Sequence, residues 1–352
     1  MPIVADTYTY VVGVDTHAAT HQYAIVRADT GGVIDEQEFP TTAAGMARAA
    51  AWIGRRTAQK AGGDLDATLI SIEGTGSYGA QLSILLGQTG YRVVDAPSPK
   101  RQRGSAKNDR IDAVIAARGA LGQRTGELAD ARGGELQATL QTLLTARESM
   151  TTERTRAINA LTALLRVHAL GIDARRKPGR PVIRTVAAWR TRNEPLPLRT
   201  ARAEAIRLAT RILALDTEAQ ANERDLREVI NQTRPDLLDL VGVGPVNAAI
   251  VLAAWSHPGR VRDDAAFAKL AGVCPLEVSS GRRHEHRLNR TGDRQLNRAM
   301  HSIAKTRMQY DPRTRDYVHR RTTAGLTRPR IRRCLKRYIA RELHRKLSAP
   351  MA

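Results

Sequence analysis

Three runs of strand length, with alternating or continuous apolar residues, lie in the first 40 residues and constrain the fold of this 352-residue chain more than any other feature. They cover Thr7–Val14, Gln22–Ala28 and Val33–Phe39, and short turns join them. Consecutive strands connected in this way pair as an antiparallel meander. We therefore predict that the chain begins with a three-stranded sheet.

Helices and strands alternate along the rest of the first 130 residues. The apolar spacing predicts helices over Thr42 to about Lys60, over Tyr78–Gln88 and from near Asn108. It predicts strands between them, over Ala67–Glu73 and Tyr91–Asp95. The resulting order, β-β-β-α-β-α-β-α, matches the mixed sheet of the ribonuclease H fold. We therefore predict an α/β domain of this type over residues 1–130.

Residues 131–233 show helical signals and no strand signals. Leu136, Leu140 and Leu144 recur at helical spacing in a run from Gly134 to Leu170, and a second helical run covers about Thr200–Asn231. Two long helices favour an antiparallel hairpin or coiled coil that serves as a linker and dimerisation element. A small helical bundle is the alternative.

Residues 234–352 are predicted to form a mainly helical C-terminal domain. Near its start, Gly242-Val243-Gly244 precedes the helical run Val246–Trp255. A glycine turn leading into a helix is the outline of a helix-hairpin-helix element, whose backbone N–H groups can hold a DNA phosphate. Gly242 and Gly244 are therefore candidate nucleic-acid-binding residues.

Charge is distributed unequally between these regions. The chain has 56 Lys and Arg against 35 Asp and Glu, a formal net charge of +21. Residues 1–130 have a net charge of −1, whereas residues 131–352 have a net charge of +22. A positive excess confined to one part of a chain is typical of nucleic-acid binding. The alternative is an arginine-rich composition in which each side chain is merely solvated.

Cysteine content and hydropathy favour a cytoplasmic protein without membrane contact. The two cysteines, Cys274 and Cys334, cannot supply a zinc quartet or a disulfide framework. No apolar run approaches the length of a membrane span, and the N-terminus lacks the pattern of a secretion signal.

Four carboxylates are candidate metal ligands. Asp15 and Glu73 end two predicted strands, while Asp109 and Asp112 lie three apart on one helix face. Carboxylates crowded at one sheet end repel unless cations neutralise them, and their hard oxygens favour Mg²⁺ or Mn²⁺. Two such ions can orient a phosphodiester for displacement. Taken singly, Asp15 fits a turn, and Asp109 fits a helix cap with Asp112 in the first turn.

These four residues resemble the DEDD set of the insertion sequence 110 family of transposases, whose N-terminal domain is similar to the RuvC Holliday-junction resolvase. The most specific part is the Lys-Asn-Asp-Arg-Ile-Asp-Ala context of Asp109 and Asp112. The resemblance implies a RuvC-like catalytic domain that binds divalent metal.

The C-terminal part is similar to the second transposase domain of the same family. There, a serine before a glycine is followed by a basic segment, as in Ser279-Ser280-Gly281 of this chain. The resemblance implies that Ser280 is the nucleophile, with Ser279 as the alternative, whereas an unmatched Ser-Ser-Gly is an ordinary polar turn. The arginines of this segment are the predicted nucleic-acid contacts: Arg282, Arg283, Arg287, Arg290, Arg294 and Arg298.

The resemblance also implies a function and partners. Proteins of this family are recombinases of mobile elements that join donor and target DNA with a structured bridge RNA as guide. A covalent serine–phosphate link and a homodimer or tetramer belong to the same expectation. Two alternatives stay open from the residues alone: a structure-specific endonuclease that uses only the carboxylates, and a non-enzymatic basic protein that binds nucleic acid.

Overall fold

The computed structural model describes residues 2–58, 65–97, 109–280, 283–287, 289 and 292–349. The chain divides into two compact units. In the described part of the chain, the first combines the residues up to Ala138 with Ala253–Asn297 and residues 337–349, and the second combines Thr139–Leu252 with Arg298–Lys336. These boundaries differ from those of the three predicted domains, whose functional division stays a prediction.

A five-stranded mixed sheet forms the centre of the first unit. Its strands are β1 (Tyr10–Thr16), β2 (Thr20–Arg27), β3 (Val33–Pro40), β4 (Thr68–Ile72) and β5 (Arg92–Asp95). They lie in the order β3-β2-β1-β4-β5, with β3, β2 and β1 antiparallel and β1, β4 and β5 parallel. This arrangement confirms the predicted meander and is consistent with a ribonuclease H-like sheet.

Helices cover both faces of this sheet. α2 (Ala43–Thr57) and α3 (Ala80–Gln88) contribute to the core on one face, and α4 (Asp109–Leu121) packs on the other. β1 and β4 are therefore buried on both sides, which explains their continuous apolar runs. β3 lies at the sheet edge and is mostly exposed.

A short helix, α1 (Val4–Thr7), precedes β1. The predicted start of the first strand at Thr7 is therefore wrong by three residues. The Thr7 hydroxyl donates to the Ile3 carbonyl at 2.9 Å, and Tyr8 N–H donates to the Val4 carbonyl at 3.0 Å. These local bonds compete with strand pairing and keep the segment helical.

A second stretch of the first unit contains α9 and a hairpin. α9 (Asp264–Leu270) begins after Asp263, whose carboxylate accepts a hydrogen bond from the Ala266 N–H at 2.7 Å. The hairpin pairs β6 (Leu276–Ser280) with β7 (Arg283–Arg287) antiparallel. Sequence reasoning did not predict these two strands.

The second unit is helical in its described part, and its boundaries fall inside several helices. The helices that contribute to it are α5 (Glu135–Val167), α6 (Arg180–Ala187), α7 (Leu196–Thr233), α8 (Pro245–Trp255), α10 (Arg294–Tyr310), α11 (Pro312–Thr323) and α12 (Arg328–Ser348). No described helix combines the length and apolarity needed to cross a membrane.

The two long helices α5 and α7 are antiparallel. The buried Asn222 donates to the Leu143 carbonyl at 3.0 Å, and Arg154 pairs with Asp216 at 2.5 Å. As residue numbers rise along α5, the partners on α7 fall. The helical hairpin matches the sequence expectation, whereas a coiled coil and a role in dimerisation stay predictions.

Candidate active site

Asp15 lies near the carboxyl end of β1 and is only 6% exposed. One of its carboxylate oxygens, Oδ2, lies 3.0 Å from Nε2 of His17. Sequence reasoning missed this histidine, although its place two residues beyond a strand-end carboxylate could have marked it. The contact restricts the Asp15 side chain at the sheet end.

Glu73 follows β4 directly and is exposed. Its N–H donates to the Val14 carbonyl at 2.9 Å, and its carbonyl accepts from the Thr16 hydroxyl at 2.8 Å. The next residue, Gly74, turns the chain with a φ of +73°, a conformation that favours glycine. Backbone register therefore brings Glu73 to the same end of the sheet as Asp15.

The Asp15 side chain lies on the sheet face that α4 covers. A Cβ at Gly13 would lie 2.0 Å from the Ala113 carbonyl oxygen, so α4 packs directly on this face of β1. Gly13 and Asp15 share that face because strand side chains alternate. On β4, the Ser71 hydroxyl donates to the Ala116 carbonyl at 2.9 Å, and Glu73 follows Ser71 by two residues.

The first turn of α4 points toward the same sheet end. The C-terminal part of α4 lies near the β2–β3 turn, where the Arg118 Nε donates to the Gly31 carbonyl at 2.9 Å. The helix therefore begins, at Asp109, near the end of β1 that carries Asp15. Asp112 is half-buried in this turn, while the Asp109 side chain lies outside the described part.

The structure thus brings Asp15, Glu73 and the start of α4 to one end of the sheet, where β1 and β4 end. The oxygen donors suit a hard divalent cation, and the α4 N-terminus contributes a positive partial charge. Among the described side chains, no group of three or more His, Cys, Asp or Glu is close enough to form a metal site. The complete ligand set is therefore still a prediction.

His21, in β2, is a buried neighbour of this edge. It is 1% exposed, and neither ring nitrogen has a hydrogen-bond partner. Burial lowers its pKa below the usual 6.5, and the neighbouring His17 lowers it further, whereas Thr20 and Asp15 raise it by smaller amounts. A neutral imidazole therefore packs into the sheet beside the candidate site.

Ser280 is the last residue of β6 and pairs with Arg283 across the hairpin, while Ser279 pairs with His284. The side chains of β6 and β7, including those of Arg283 and Arg287, lie outside the described part, as do Arg282 and Arg290 entirely. The hairpin backbone belongs to the first unit, together with β1, β4 and α4.

The other predicted nucleic-acid contacts are on helices or beside them. Arg294 is exposed at the start of α10, and Arg298 forms a bidentate pair with Glu148 at 2.9 and 3.1 Å. Gly242 has a φ of +83°, and a Cβ there would lie 3.1 Å from the Ile303 carbonyl oxygen. A Cβ at Gly244 would meet open space. The helix-hairpin-helix interpretation of this turn stays a prediction.

Two family models match the chain in the same order as the predicted regions. A transposase model named for the DEDD domain of IS110 matches residues 12–169, and the transposase IS116/IS110/IS902 family model matches residues 235–319. This chain belongs to the IS110 family of transposases. Accordingly, it is an enzyme that cleaves and joins DNA, and its DEDD domain implies a dependence on divalent metal.

Two relatives come from insertion elements of Streptomyces. An uncharacterized 44.8 kDa protein of insertion element IS116 from Streptomyces clavuligerus is 26% identical over 306 residues, covering 73% of this chain and 76% of the relative. An uncharacterized 43.6 kDa protein of IS110 from Streptomyces coelicolor is 32% identical over 123 residues, covering 34% of this chain and 30% of the relative.

Proposed function

We propose that this transposase cuts and rejoins DNA through a covalent serine–phosphate intermediate. Ser280 is the nucleophile, and the metal ligands are Asp15, Glu73, Asp109 and Asp112. The observation that supports this best is that the hairpin with Ser280 belongs to the same compact unit as β1, β4 and α4. That unit contains the proposed nucleophile and the four proposed metal ligands.

The reaction exchanges one phosphate ester for another. The Ser280 oxygen attacks the phosphorus and loses its proton, while the bond from phosphorus to a sugar oxygen breaks and that oxygen gains a proton. A sugar hydroxyl of a second strand reverses these steps and releases the serine. Since a serine hydroxyl is a weak nucleophile, it needs activation. When bound, Mg²⁺ or Mn²⁺ supplies Lewis-acid polarisation of the phosphoryl oxygens.

The chain's own side chains orient the reaction and neutralise its charge. Asp15 is restrained by the buried sheet edge and by His17. Arg282, Arg283 and Arg287 contact the phosphate under attack, as charge-assisted donors. The remaining predicted contacts hold the DNA backbone: Gly242, Gly244, Arg290, Arg294 and Arg298.

A structured bridge RNA guides the choice of donor and target DNA in this proposal, and the enzyme works as a homodimer or tetramer. The net charge of +22 in residues 131–352 supports two nucleic-acid partners, and the family resemblance supports the guide. Recombination by the purified protein should require RNA transcribed from the element's non-coding flank and should be lost after ribonuclease treatment. Unchanged recombination after that treatment would refute the guide.

Trapping on nicked DNA tests the serine chemistry. The wild-type chain should form a covalent protein–DNA adduct, and Ser280→Ala should abolish it. Ser279→Ala is the matched control and should retain the adduct. A normal adduct yield in Ser280→Ala would refute the assignment, and cleavage with free ends in both variants would favour the carboxylate-only endonuclease.

A further inference from the structure

A short strap, residues 129–133, joins the sheet to the C-terminal stretch of the first unit. It runs beside β5, where Asp95 N–H donates to the Ala129 carbonyl at 2.8 Å and Ala131 N–H donates to the Val93 carbonyl at 2.9 Å. The strap therefore extends the sheet by one short, irregular edge.

Each residue from 130 to 133 also contacts the C-terminal stretch. The Asp130 carbonyl accepts from Arg260 Nε at 2.8 Å, the Ala131 carbonyl lies 3.2 Å from His257 Nε2, Arg132 pairs with Asp293 at 3.0 Å, and Gly133 exchanges two hydrogen bonds with Ser256 at 3.0 and 3.1 Å. Four consecutive residues thus hold Ser256, His257, Arg260 and Asp293 to the sheet.

Arg260 is the most buried cation of this contact, at 7% exposure. Its guanidinium donates to the Asp130 and Ala254 carbonyls, each at 2.8 Å, and to Asp95 Oδ2 at 3.2 Å. A charge is tolerated at such burial only when it is paired and its donors are satisfied. The geometry of the site therefore fixes Arg260 tightly.

Asp95 links this cation to the loop that carries Glu73. Asp95 ends β5 at the same sheet end as Asp15 and Glu73, and its second oxygen, Oδ1, accepts a hydrogen bond from the Thr75 hydroxyl. Thr75 is 3% exposed and follows Glu73 by two residues. A continuous polar path thus runs from the Glu73 loop through Thr75 and Asp95 to Arg260.

The far end of the C-terminal stretch is anchored as well. The Asp293 carboxylate forms an ion pair with Arg132 and caps α10 by accepting a hydrogen bond from the Leu296 N–H at 2.9 Å. The Asp293 N–H donates to the Leu270 carbonyl at 2.8 Å. The β6–β7 hairpin therefore lies between two anchors, Arg260 before it and Asp293 after it.

We propose that Asp95 and Arg260 are positioning residues for DNA cleavage. They hold the Glu73 loop in a fixed relation to the stretch that presents Ser280. This inference rests on the proposed function, because it assigns the carboxylates and the serine to one reaction. A displacement of about 1 Å in such a constellation can lower a rate about 10²-fold.

Single-turnover cleavage at saturating DNA tests the inference in the full-length chain. All cleaved strands are counted, with or without covalently attached protein. Each rate is normalised to the fraction of folded protein. Arg260→Gln should lower this rate about 10²-fold while DNA affinity and Mn²⁺ binding stay within about twofold. Arg260→Lys should recover part of the rate, because it keeps the charge opposite Asp95.

The matched control is Arg262→Gln, two residues away, where an exposed arginine pairs with Asp263. Its rate should stay within about twofold of wild type. If Arg260→Gln does not fold, Thr75→Val keeps the side-chain shape, removes only the hydroxyl link to Asp95, and should lower the rate about tenfold.

The two proposals fail in different ways. If a folded Arg260→Gln, or Thr75→Val in its place, keeps the wild-type rate, the positioning role is overturned. A change confined to thermal stability or DNA affinity also overturns it, because a purely structural contact would act in that way. If wild-type cleavage leaves no adduct, the serine chemistry fails, while the cleavage rates still report on Arg260.

Discussion

The sheet edge and the β6–β7 hairpin belong to one compact unit, yet different interactions place them. At the sheet edge, backbone register between neighbouring strands is enough to bring Asp15 and Glu73 together. The hairpin stretch is placed by side-chain contacts between residues far apart in sequence, namely Arg260 with Asp95 and Arg132 with Asp293. Backbone pairing between β1 and β4 therefore sets the carboxylate end of the sheet, whereas side-chain ion pairs hold the hairpin stretch.

The largest expected effect on DNA cleavage comes from changing a carboxylate at the end of the sheet. Asp15→Asn should lower metal-dependent DNA cleavage by about 10³-fold or more, because it removes a charged ligand from the proposed metal site. DNA affinity, measured by fluorescence anisotropy, should change little. Glu38→Gln, on the exposed edge strand β3, is the control and should cleave normally. Normal cleavage by Asp15→Asn would contradict a role for this carboxylate in catalysis.

The stability of the stretch around the β6–β7 hairpin should depend on its anchor at Asp293. Asp293→Ala removes the α10 cap and leaves Arg132 without its carboxylate, so the free energy of unfolding should fall by about 1–3 kcal/mol. Hydrogen exchange should rise most in residues 264–293. Denaturant unfolding measures the first effect, and uniform exchange across the unit would contradict the second.

Part of this contrast was predictable from sequence. Asp15 and Glu73 follow apolar runs, and the carboxyl ends of parallel strands lie at the same end of a sheet. The sequence pattern therefore suffices to predict that these two residues lie at one end of the sheet. Asp95 also ends a predicted strand, and the same rule could have found it. Arg260 is one of 48 arginines in the chain, and no local pattern distinguishes it from the solvated ones. Its role depends on contacts that only the folded chain creates.

The pH dependence of stability should reflect His21. Its folded pKa lies below its unfolded value of about 6.5, because burial disfavours the charged form. Between the unfolded pKa and the lower folded pKa, unfolding takes up a proton. The free energy of unfolding should therefore fall as the pH drops below about 6.5. His21→Phe should flatten this slope in denaturant unfolding, while His319→Gln, at an exposed position on α11, should not. An equal slope in wild type and His21→Phe would contradict the assignment.

The smallest effect is expected at the exposed pair of Arg298 and Glu148. Arg298→Gln should change the free energy of unfolding by less than about 1 kcal/mol, because exposed ion pairs contribute little. If Arg298 contacts a DNA phosphate as proposed, the slope of log affinity against log salt should decrease by about 1. An unchanged slope would remove Arg298 from the DNA surface.

Iron-directed cleavage of the protein tests the central claim most directly, because it maps a bound divalent cation without relying on activity. Fe²⁺ replacing the native ion, with ascorbate and peroxide, should cut the backbone near Asp15, near Glu73 and in the first turn of α4. Asp15→Asn and excess Mg²⁺ should each suppress these cuts. Cuts at other positions, or the same cuts undiminished in Asp15→Asn, would contradict a metal site at this sheet edge.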